Sequence, residues 1–213
     1  MIENYTRQRE KMVREQISRR GVRDPLVLDA MRHVPRHCFV PGDQQRWAYS
    51  DNALPLALGQ TVSQPYIVAV MTELLGLTGG ETVLDVGAGS GYQAAVLAQI
   101  AGQVHSIERL PELAEKARKT LVSLKIENVT IHIGDGTLGL PEFSPYQGIL
   151  VAAAAPHVPA ALLAQLDEGA KLVIPVGEQH SQTIEIWQKR GNQYTHRTHI
   201  PVAFVPLIGK DGW

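Results

Sequence analysis

The segment from Leu54 to Tyr66, LPLALGQTVSQPY, is rich in polar side chains but contains no acid and no base. Its aliphatic hydroxyl groups belong to Thr61 and Ser63, and it includes no His, Cys, Asp, Glu or Lys. Hydroxyls and amides can hold a ligand by hydrogen bonds, whereas general acid–base catalysis requires a titratable side chain. The segment therefore suits a reaction in which groups are positioned and the loop itself removes no proton.

A glycine-rich loop in VLDVGAGSGYQAAVLA follows a predicted strand and opens a predicted helix. Its glycines are Gly87, Gly89 and Gly91. Glycines allow the sharp turn and let the backbone approach a ligand closely. Glu108 ends the second predicted strand, where a carboxylate can accept hydrogen bonds from ribose hydroxyls. Asp135 and Gly136 end the third, so these groups meet at the carboxyl edge of the predicted sheet, where open α/β sheets bind ligands.

The glycine spacing is G-x-G-x-G, whereas dinucleotide-binding proteins use G-x-G-x-x-G. Asp85 stands two residues before the first glycine and would be a poor neighbour for a pyrophosphate on the helix N-terminus. A cationic ligand without phosphate, such as S-adenosyl-L-methionine, is therefore favoured. The alternative is that Asp85 only caps the turn.

The N-terminal elements that would position the polar loop are helical. We predict helices over residues 3–20, from Asp24-Pro25 with Asp24 as N-cap, and from Gln64 with Ser63 as cap. An ordered but irregular connection is expected over residues 33–62. For Ser63 a structural cap and a functional site are both open interpretations, since caps favour the same residue type.

From residue 81 onwards, predicted strands alternate with predicted helices. The strands are ETVLDV, VHSIE, VTIHI, GILVAA and KLVIPV, and the helices are Gly91–Ala101, one from Pro111 and one near Ala160–Leu166. This alternation predicts an α/β fold with a Rossmann-like, doubly wound, mostly parallel sheet. An N-terminal helical extension and an antiparallel C-terminal element, turning at Gly191-Asn192, would complete it.

The length of 213 residues predicts one domain, since domains average about 150 residues. We expect residues 1–75 to supply helices and a substrate loop, residues 76–176 the cofactor-binding core, and residues 177–213 the final strands. The net charge of −1 argues against a basic face for nucleic acid or anionic membrane.

The single cysteine, Cys38, suits a reducing compartment, and we predict that its thiol is buried. The charged start of the chain lacks the apolar core of a secretory signal. Pro156, His157 and Pro159 interrupt the most apolar window, residues 148–166, which disfavours a membrane span. We therefore expect a cytoplasmic protein.

The motifs VLDVGAGSGYQ, SIER and GDG resemble the S-adenosyl-L-methionine site of Rossmann-like methyltransferases. Together with LPLALGQTVSQPYIVAVMTELL upstream and VAAAAPHVPAALLAQLDEGAKLVIPVG downstream, they closely resemble the protein-L-isoaspartate (D-aspartate) O-methyltransferase family. The resemblance extends from about residue 5 to Leu207, and TVSQP is its specific part.

This resemblance implies methyl transfer to the free carboxyl of L-isoaspartyl or D-aspartyl residues in damaged proteins and peptides. The ester collapses to a succinimide whose hydrolysis returns some normal aspartate, so the implied role is repair. A carboxylate, with a reference pKa near 4, needs no base at neutral pH. A reaction of this kind therefore accounts for the absence of an acid or a base from the segment 54–66. A monomer that binds neither nucleic acid nor membrane is expected.

The resemblance also implies roles for individual residues. Ser63 matches the active-site serine, with a positioning role, and Thr61 would line the meeting point of cofactor and substrate. The residues Asp85, Gly87, Ala88 and Gly89 match the loop around the methionine part. Glu108 matches the ribose acid, Asp135 and Gly136 match the adenine-side pair, and Gln182 matches a family glutamine more loosely.

Departures and alternatives remain at several positions. Gln147 stands where the family pattern leads us to expect an aspartate, and His157 could contact the peptide or simply lie in an exposed loop. His33 and His37 lack partners for a zinc site, so no metal is expected. A nucleic-acid methyltransferase, an NAD-dependent oxidoreductase and a module that binds without turnover are the rival functions.

Overall fold

The structure is a computed structural model that describes residues 4–179 and 181–213. Residue 3, where the first predicted helix starts, and His180 lie outside the described residues. No helix in the described ranges is long and apolar enough to cross a membrane.

The N-terminal region consists of helices and a small hairpin. Helix α1 (Tyr5–Met12) continues as a π-helical turn and a short 3₁₀ turn to Arg20, and helix α2 (Pro25–His33) follows. As predicted, Asp24 caps α2, because its Oδ1 accepts the Leu26 N–H at 2.8 Å. Strands β1 (Leu54–Pro55) and β2 (Thr61–Val62) pair antiparallel before helix α3 (Pro65–Leu75).

The prediction that Ser63 caps α3 is wrong. Gln64 occupies the N-cap position without a side-chain capping bond, and Pro65 is the first helical residue. The fixed φ of proline suits that position, and this register leaves Ser63 one residue too early to act as the cap. Gly76, in the left-handed region with φ 68°, ends the helix.

The prediction of a buried Cys38 thiol is also wrong, because this residue is exposed. It lies in a 3₁₀ turn over Arg36–Phe39, in which Arg36 and Phe39 are both buried. A 3₁₀ turn has three residues per turn, so residues 36 and 39 share the inward face and residue 38 points away from it.

The remaining elements build a seven-stranded sheet in the order β5-β4-β3-β6-β7-β8-β9. Its strands are β3 (Thr82–Val86), β4 (Gln103–Glu108), β5 (Val129–Ile133), β6 (Tyr146–Val151), β7 (Leu166–Glu178), β8 (Ser181–Arg190) and β9 (Gln193–Val202). The first five run parallel, and the last two are antiparallel, as predicted.

Helices cover both faces of this sheet. They are α4 (Tyr92–Ala98), α5 (Pro111–Ser123) and α6 (Ala160–Ala164). Successive residues of β3 enter different cores: Val83 packs with α4 and α5, whereas Leu84 packs with Leu162 of α6. Because strand order reverses between β3 and β6, right-handed crossovers place these helices on opposite faces. The reversal also opens a crevice at the carboxyl edge, where ligands bind in such sheets.

Candidate functional site

A cleft lies at the carboxyl ends of β3 and β4, and we call it the glycine-loop cleft. Its lining includes Gly87 and Gly89 after β3, Glu108 at the end of β4 and Gly136 after β5. Thr61, from the polar N-terminal loop, lines the same cleft. The fold therefore brings the polar N-terminal loop and the strand-end residues together.

The glycine loop adopts a conformation that side chains disfavour. Gly87, Gly89 and Gly91 have φ values of 91°, 53° and 87°, all in the region that favours glycine. The Gly87 and Ala88 N–H groups donate to the Ile107 carbonyl, which fastens the loop to β4. These bonds hold the glycine loop at the carboxyl end of β3, where Gly87 and Gly89 line the cleft.

Glu108 is buried and holds the rim of the cleft in place. Its Oε2 accepts the Gly89 N–H at 2.8 Å, and its Oε1 accepts the Leu110 N–H at 2.9 Å. Each carboxylate oxygen has a second lone pair, so Glu108 retains capacity for ligand hydroxyls. The carboxylate therefore links the glycine loop to the loop after β4.

Asp85 lies under the glycine loop and is completely buried. Its Oδ2 accepts the Ser106 hydroxyl at 2.6 Å, while its Oδ1 has no partner among the described residues. Burial raises the pKa of this carboxyl to about 7; the Ser106 hydrogen bond lowers it and the charge of Glu108 raises it further. A buried carboxylate oxygen without a partner is costly, so a cationic ligand nearby would stabilise the ionised form.

Asp135 and Gly136 follow β5 and take different positions. Gly136 lines the cleft, and a Cβ there would lie 2.5 Å from Val86 Cγ1, so only glycine fits. Asp135 turns its carboxylate toward the end of the chain: Oδ1 accepts from the Thr137 N–H and hydroxyl, and Oδ2 accepts the Lys210 N–H at 2.8 Å.

The hydroxyls of Thr61 and Ser63 make no hydrogen bond within the described ranges. Both residues line a small inner pocket whose lining also includes the glycine loop and Tyr92. The described lining of this inner pocket contains no Asp, Glu, His, Lys or Cys. Burial raises the pKa of Tyr92 to about 12, which keeps the phenol neutral at physiological pH.

On the outer side of the same two residues lies a groove of about 410 Å³, which we call the outer groove. Its other lining residues are Asp51, Asn52, Ala53, Gln64, Ile67 and the segment 201–204. Asp51 is paired with Arg20 at 2.8 Å, so its charge is partly neutralised. Thr61 and Ser63 thus separate the outer groove from the space beside the glycine loop.

Sequence reasoning missed several residues of the cleft. Arg109 and Leu110 line it directly after Glu108, and their position behind a strand-end acid was a usable signal. The segment 205–208 also lines it, but no sequence pattern connects that segment to residues more than a hundred positions earlier.

Gln147, His157 and Gln182, whose roles the sequence left open, do not line the glycine-loop cleft. Gln147 stands at the amino end of β6, where its side chain bonds Thr82 and Asp167, so that departure is remote from the carboxyl edge. His157 is exposed and lies 3.2 Å from Asp211. Gln182 is buried, and its Oε1 accepts the Phe204 N–H at 2.9 Å beside the outer groove.

Comparisons with known proteins agree with the geometry. The sequence profile of the family described as protein-L-isoaspartate(D-aspartate) O-methyltransferase matches residues 7–212. The chain is 52% identical to protein-L-isoaspartate O-methyltransferase 1 of Rhodopseudomonas palustris over 99% of this chain and 86% of that protein. It is 48% identical to a protein-L-isoaspartate O-methyltransferase of Desulfotalea psychrophila over the full length of both.

Solved structures are similar over nearly the whole chain. One is a protein-L-isoaspartate O-methyltransferase with a TM-score of 0.87 and 30% identity, covering 96% of this chain and 67% of that one. Another, from Plasmodium falciparum, is described as a beta-aspartate methyltransferase in complex with S-adenosyl-L-homocysteine. It has a TM-score of 0.80 and 25% identity, covering 94% of this chain and 98% of that one.

Proposed function

The chain belongs to the protein-L-isoaspartate(D-aspartate) O-methyltransferase family, and from this premise we propose how its residues carry out the reaction. It is an S-adenosyl-L-methionine-dependent carboxyl methyltransferase. Its substrates are L-isoaspartyl and D-aspartyl residues of damaged proteins and peptides, and its role is repair.

The glycine-loop cleft fits the cofactor. Gly87, Ala88 and Gly89 would border its methionine part, and the partnerless Oδ1 of buried Asp85 suits a ligand that carries positive charge. Glu108 would bind the ribose, and Gly136, beside Asp135, would receive the adenine. When bound, S-adenosyl-L-methionine supplies a methyl group that is already activated on a sulfonium.

Thr61 and Ser63 would hold the substrate carboxylate. Their hydroxyls have no partner among the described residues, and they lie between the outer groove and the glycine loop. The first turn of α3 adds N–H groups that no side chain caps, and a helix N-terminus favours an anion. The peptide would lie in the outer groove, with its carboxylate reaching inward past Ser63.

One observation carries this proposal: the inner pocket joins two free hydroxyls to the glycine loop without an acid or base in its described lining. The carboxylate of an isoaspartyl residue is ionised at neutral pH, so nothing needs to remove a proton from it. The protein's contribution is then to align the nucleophilic oxygen, keep water out and hold the substrate still.

We propose that residues 1–213 act as one methyltransferase domain and that the protein is a cytoplasmic monomer. We also propose that it binds neither nucleic acid nor membrane. The single sheet shared by residues 82–202 supports one domain, and the net charge of −1 provides no electrostatic attraction for nucleic acid or an anionic membrane.

The test is methyl transfer from labelled S-adenosyl-L-methionine to paired peptides that differ only in carrying isoaspartyl or normal aspartyl at one position. We expect base-labile ester on the isoaspartyl peptide alone. Cofactor binding is measured on the same sample. Binding without transfer to either peptide would contradict the proposed reaction and favour a module that binds without turnover.

A further inference from the structure

The segment 205–213 runs from the lining of the glycine-loop cleft to the turn after β5, and we call it the strap. It is anchored at one end by the loop after β6, where the Ala154 N–H donates to the Val205 carbonyl and the Leu207 N–H donates to the Ala154 carbonyl. Residues 205–208 then line the cleft, and Leu207 Cδ1 would lie 3.7 Å from a Cβ at Gly136. The strap is therefore part of the cleft wall.

The far end of the strap is fastened to the turn after β5. The Lys210 N–H donates to Asp135 Oδ2 at 2.8 Å, and the Asp211 N–H donates to the Thr137 hydroxyl oxygen at 3.1 Å. Thr137 is completely buried, and its own hydroxyl donates to Asp135 Oδ1 at 2.7 Å. One carboxylate and one hydroxyl thus join β5 to the strap.

The strap sequence is shaped for this contact. A Cβ at Gly209 would overlap Asp135 Oδ1, and a Cβ at Gly212 would overlap the Leu207 carbonyl oxygen. A side chain at either position would therefore displace the strap or the group that it contacts. On the outer surface, Asp211 also lies 3.2 Å from His157, an exposed pair that contributes little.

We propose that Asp135 and Thr137 are positioning residues that hold the strap in place as a wall of the cofactor cleft. This inference rests on the proposed function, because the wall matters only if the cleft binds S-adenosyl-L-methionine. Asp135 acts through the strap in this role, in addition to its proposed place beside the adenine. An open strap lowers the fraction of binding-competent protein, and the apparent affinity falls by the same factor.

Two substitutions test the fastening without touching the cleft lining. Gly209→Ala forces the Asp135 carboxylate and the strap apart, and Thr137→Val removes the hydroxyl that bridges Asp135 and Asp211. The matched controls are Gly42→Ala, where an added Cβ meets nothing within 4 Å, and Thr130→Val on the exposed face of β5.

The measurements are calorimetric Kd for S-adenosyl-L-homocysteine, KM for S-adenosyl-L-methionine, KM for the isoaspartyl peptide, kcat at saturation and Tm. We expect Gly209→Ala and Thr137→Val to raise the Kd and the cofactor KM by roughly tenfold, as for the loss of one or two hydrogen bonds. Peptide KM and saturated kcat should stay within about twofold of the parent. Both controls should match the parent.

Unchanged cofactor affinity in both variants would overturn the proposed role of the strap. So would a similar fold-change in cofactor KM, peptide KM and kcat. If Gly209→Ala fails to fold, Thr137→Val decides the matter, since it is nearly isosteric. A parent protein that binds no S-adenosyl-L-homocysteine would instead overturn the proposed function, so the two failures are distinct.

Discussion

Ser63 is positioned for ligand contact by a proline that follows it. Pro65 opens α3 and makes Gln64 the N-cap, whose side chain donates to the Asp51 carbonyl and leaves the helix end uncapped. Ser63 is therefore not the helix N-cap that its sequence position suggests. Its hydroxyl, without a partner among the described residues, borders both the inner pocket and the outer groove.

We expect Ser63→Ala to lower kcat/KM for the isoaspartyl peptide by roughly 10- to 100-fold, as when one preorganised donor is lost. The Kd for S-adenosyl-L-homocysteine should change less than about twofold. Steady-state kinetics and calorimetry check this, with Ser123→Ala on the exposed end of α5 as control. Equal losses in turnover and cofactor binding would refute the positioning role.

The raised pKa of Asp85 predicts that the affinity for the cofactor depends on pH. Burial raises the pKa of its carboxyl to about 7, so it ionises over the neutral range, and a cationic ligand favours the ionised form. Affinity for S-adenosyl-L-methionine should therefore rise between pH 6 and 8, in a window set by that value. Asp85→Asn should bind more weakly and lose this slope.

The control is Asp29→Asn, an exposed residue of α2. Calorimetry across the pH range measures both variants. A parent protein with pH-independent affinity, or an Asp85→Asn variant that keeps the slope, would show that Asp85 does not sense the cofactor's charge.

At the scale of elements, β4 and β5 carry a histidine pair on the face away from α4. His105 Nδ1 and His132 Nε2 lie 3.1 Å apart, and the Phe143 ring stacks on His105. Burial lowers the pKa of both imidazoles; His132 lowers that of His105 further, and the nearby Glu142 opposes both shifts. The two strands are thus joined by neutral side chains.

The lowered pKa values of His105 and His132 predict that the folded protein loses stability in acid. Because each imidazole has a lower pKa when folded, the unfolded chain binds more protons below the ordinary histidine pKa of about 6.5. Stability should therefore be intact above that pH and fall as the pH decreases from 7 to 5. Denaturant unfolding at each pH measures it, and the double variant His105→Gln, His132→Gln should show a shallower decrease than the parent. A parallel decrease in both would exclude the pair as its source.

At the scale of the whole molecule, one sheet joins the strands that end at the glycine-loop cleft to β9, which borders the outer groove. The described large apolar side chains that remain exposed belong to many separate elements, among them Leu26, Trp47, Val122 and Tyr194. We expect a monomer, with a mass near 23.3 kDa by light scattering. A concentration-independent mass of twice that value would contradict it.

The sequence was sufficient to predict the main helices and strands and the central residues of the glycine-loop cleft. Alternating strands and helices, together with Gly87, Glu108 and Gly136 at strand ends, predicted the parallel sheet and a cleft at its carboxyl edge. These signals are local, because a strand, its turn and the next helix are contiguous in the chain. The α3 register was misjudged because Ser63 suits a cap by its residue type, whereas Pro65 takes the first helical position and so makes Gln64 the N-cap. Cys38 was misjudged because a 3₁₀ turn changes which residue faces inward.

By itself, the sequence determined the fold class and favoured S-adenosyl-L-methionine as cofactor, because residue types and their spacing within each βα unit carry that information. The reaction followed from the resemblance of nearly the whole sequence to a known family. Only the tertiary structure decided that Thr61 and Ser63 face both the glycine loop and the outer groove. Only it decided that residues 205–213 close over Asp135 and Thr137. Those relations join segments far apart in the chain, and packing of the sheet, not local propensity, brings them into contact.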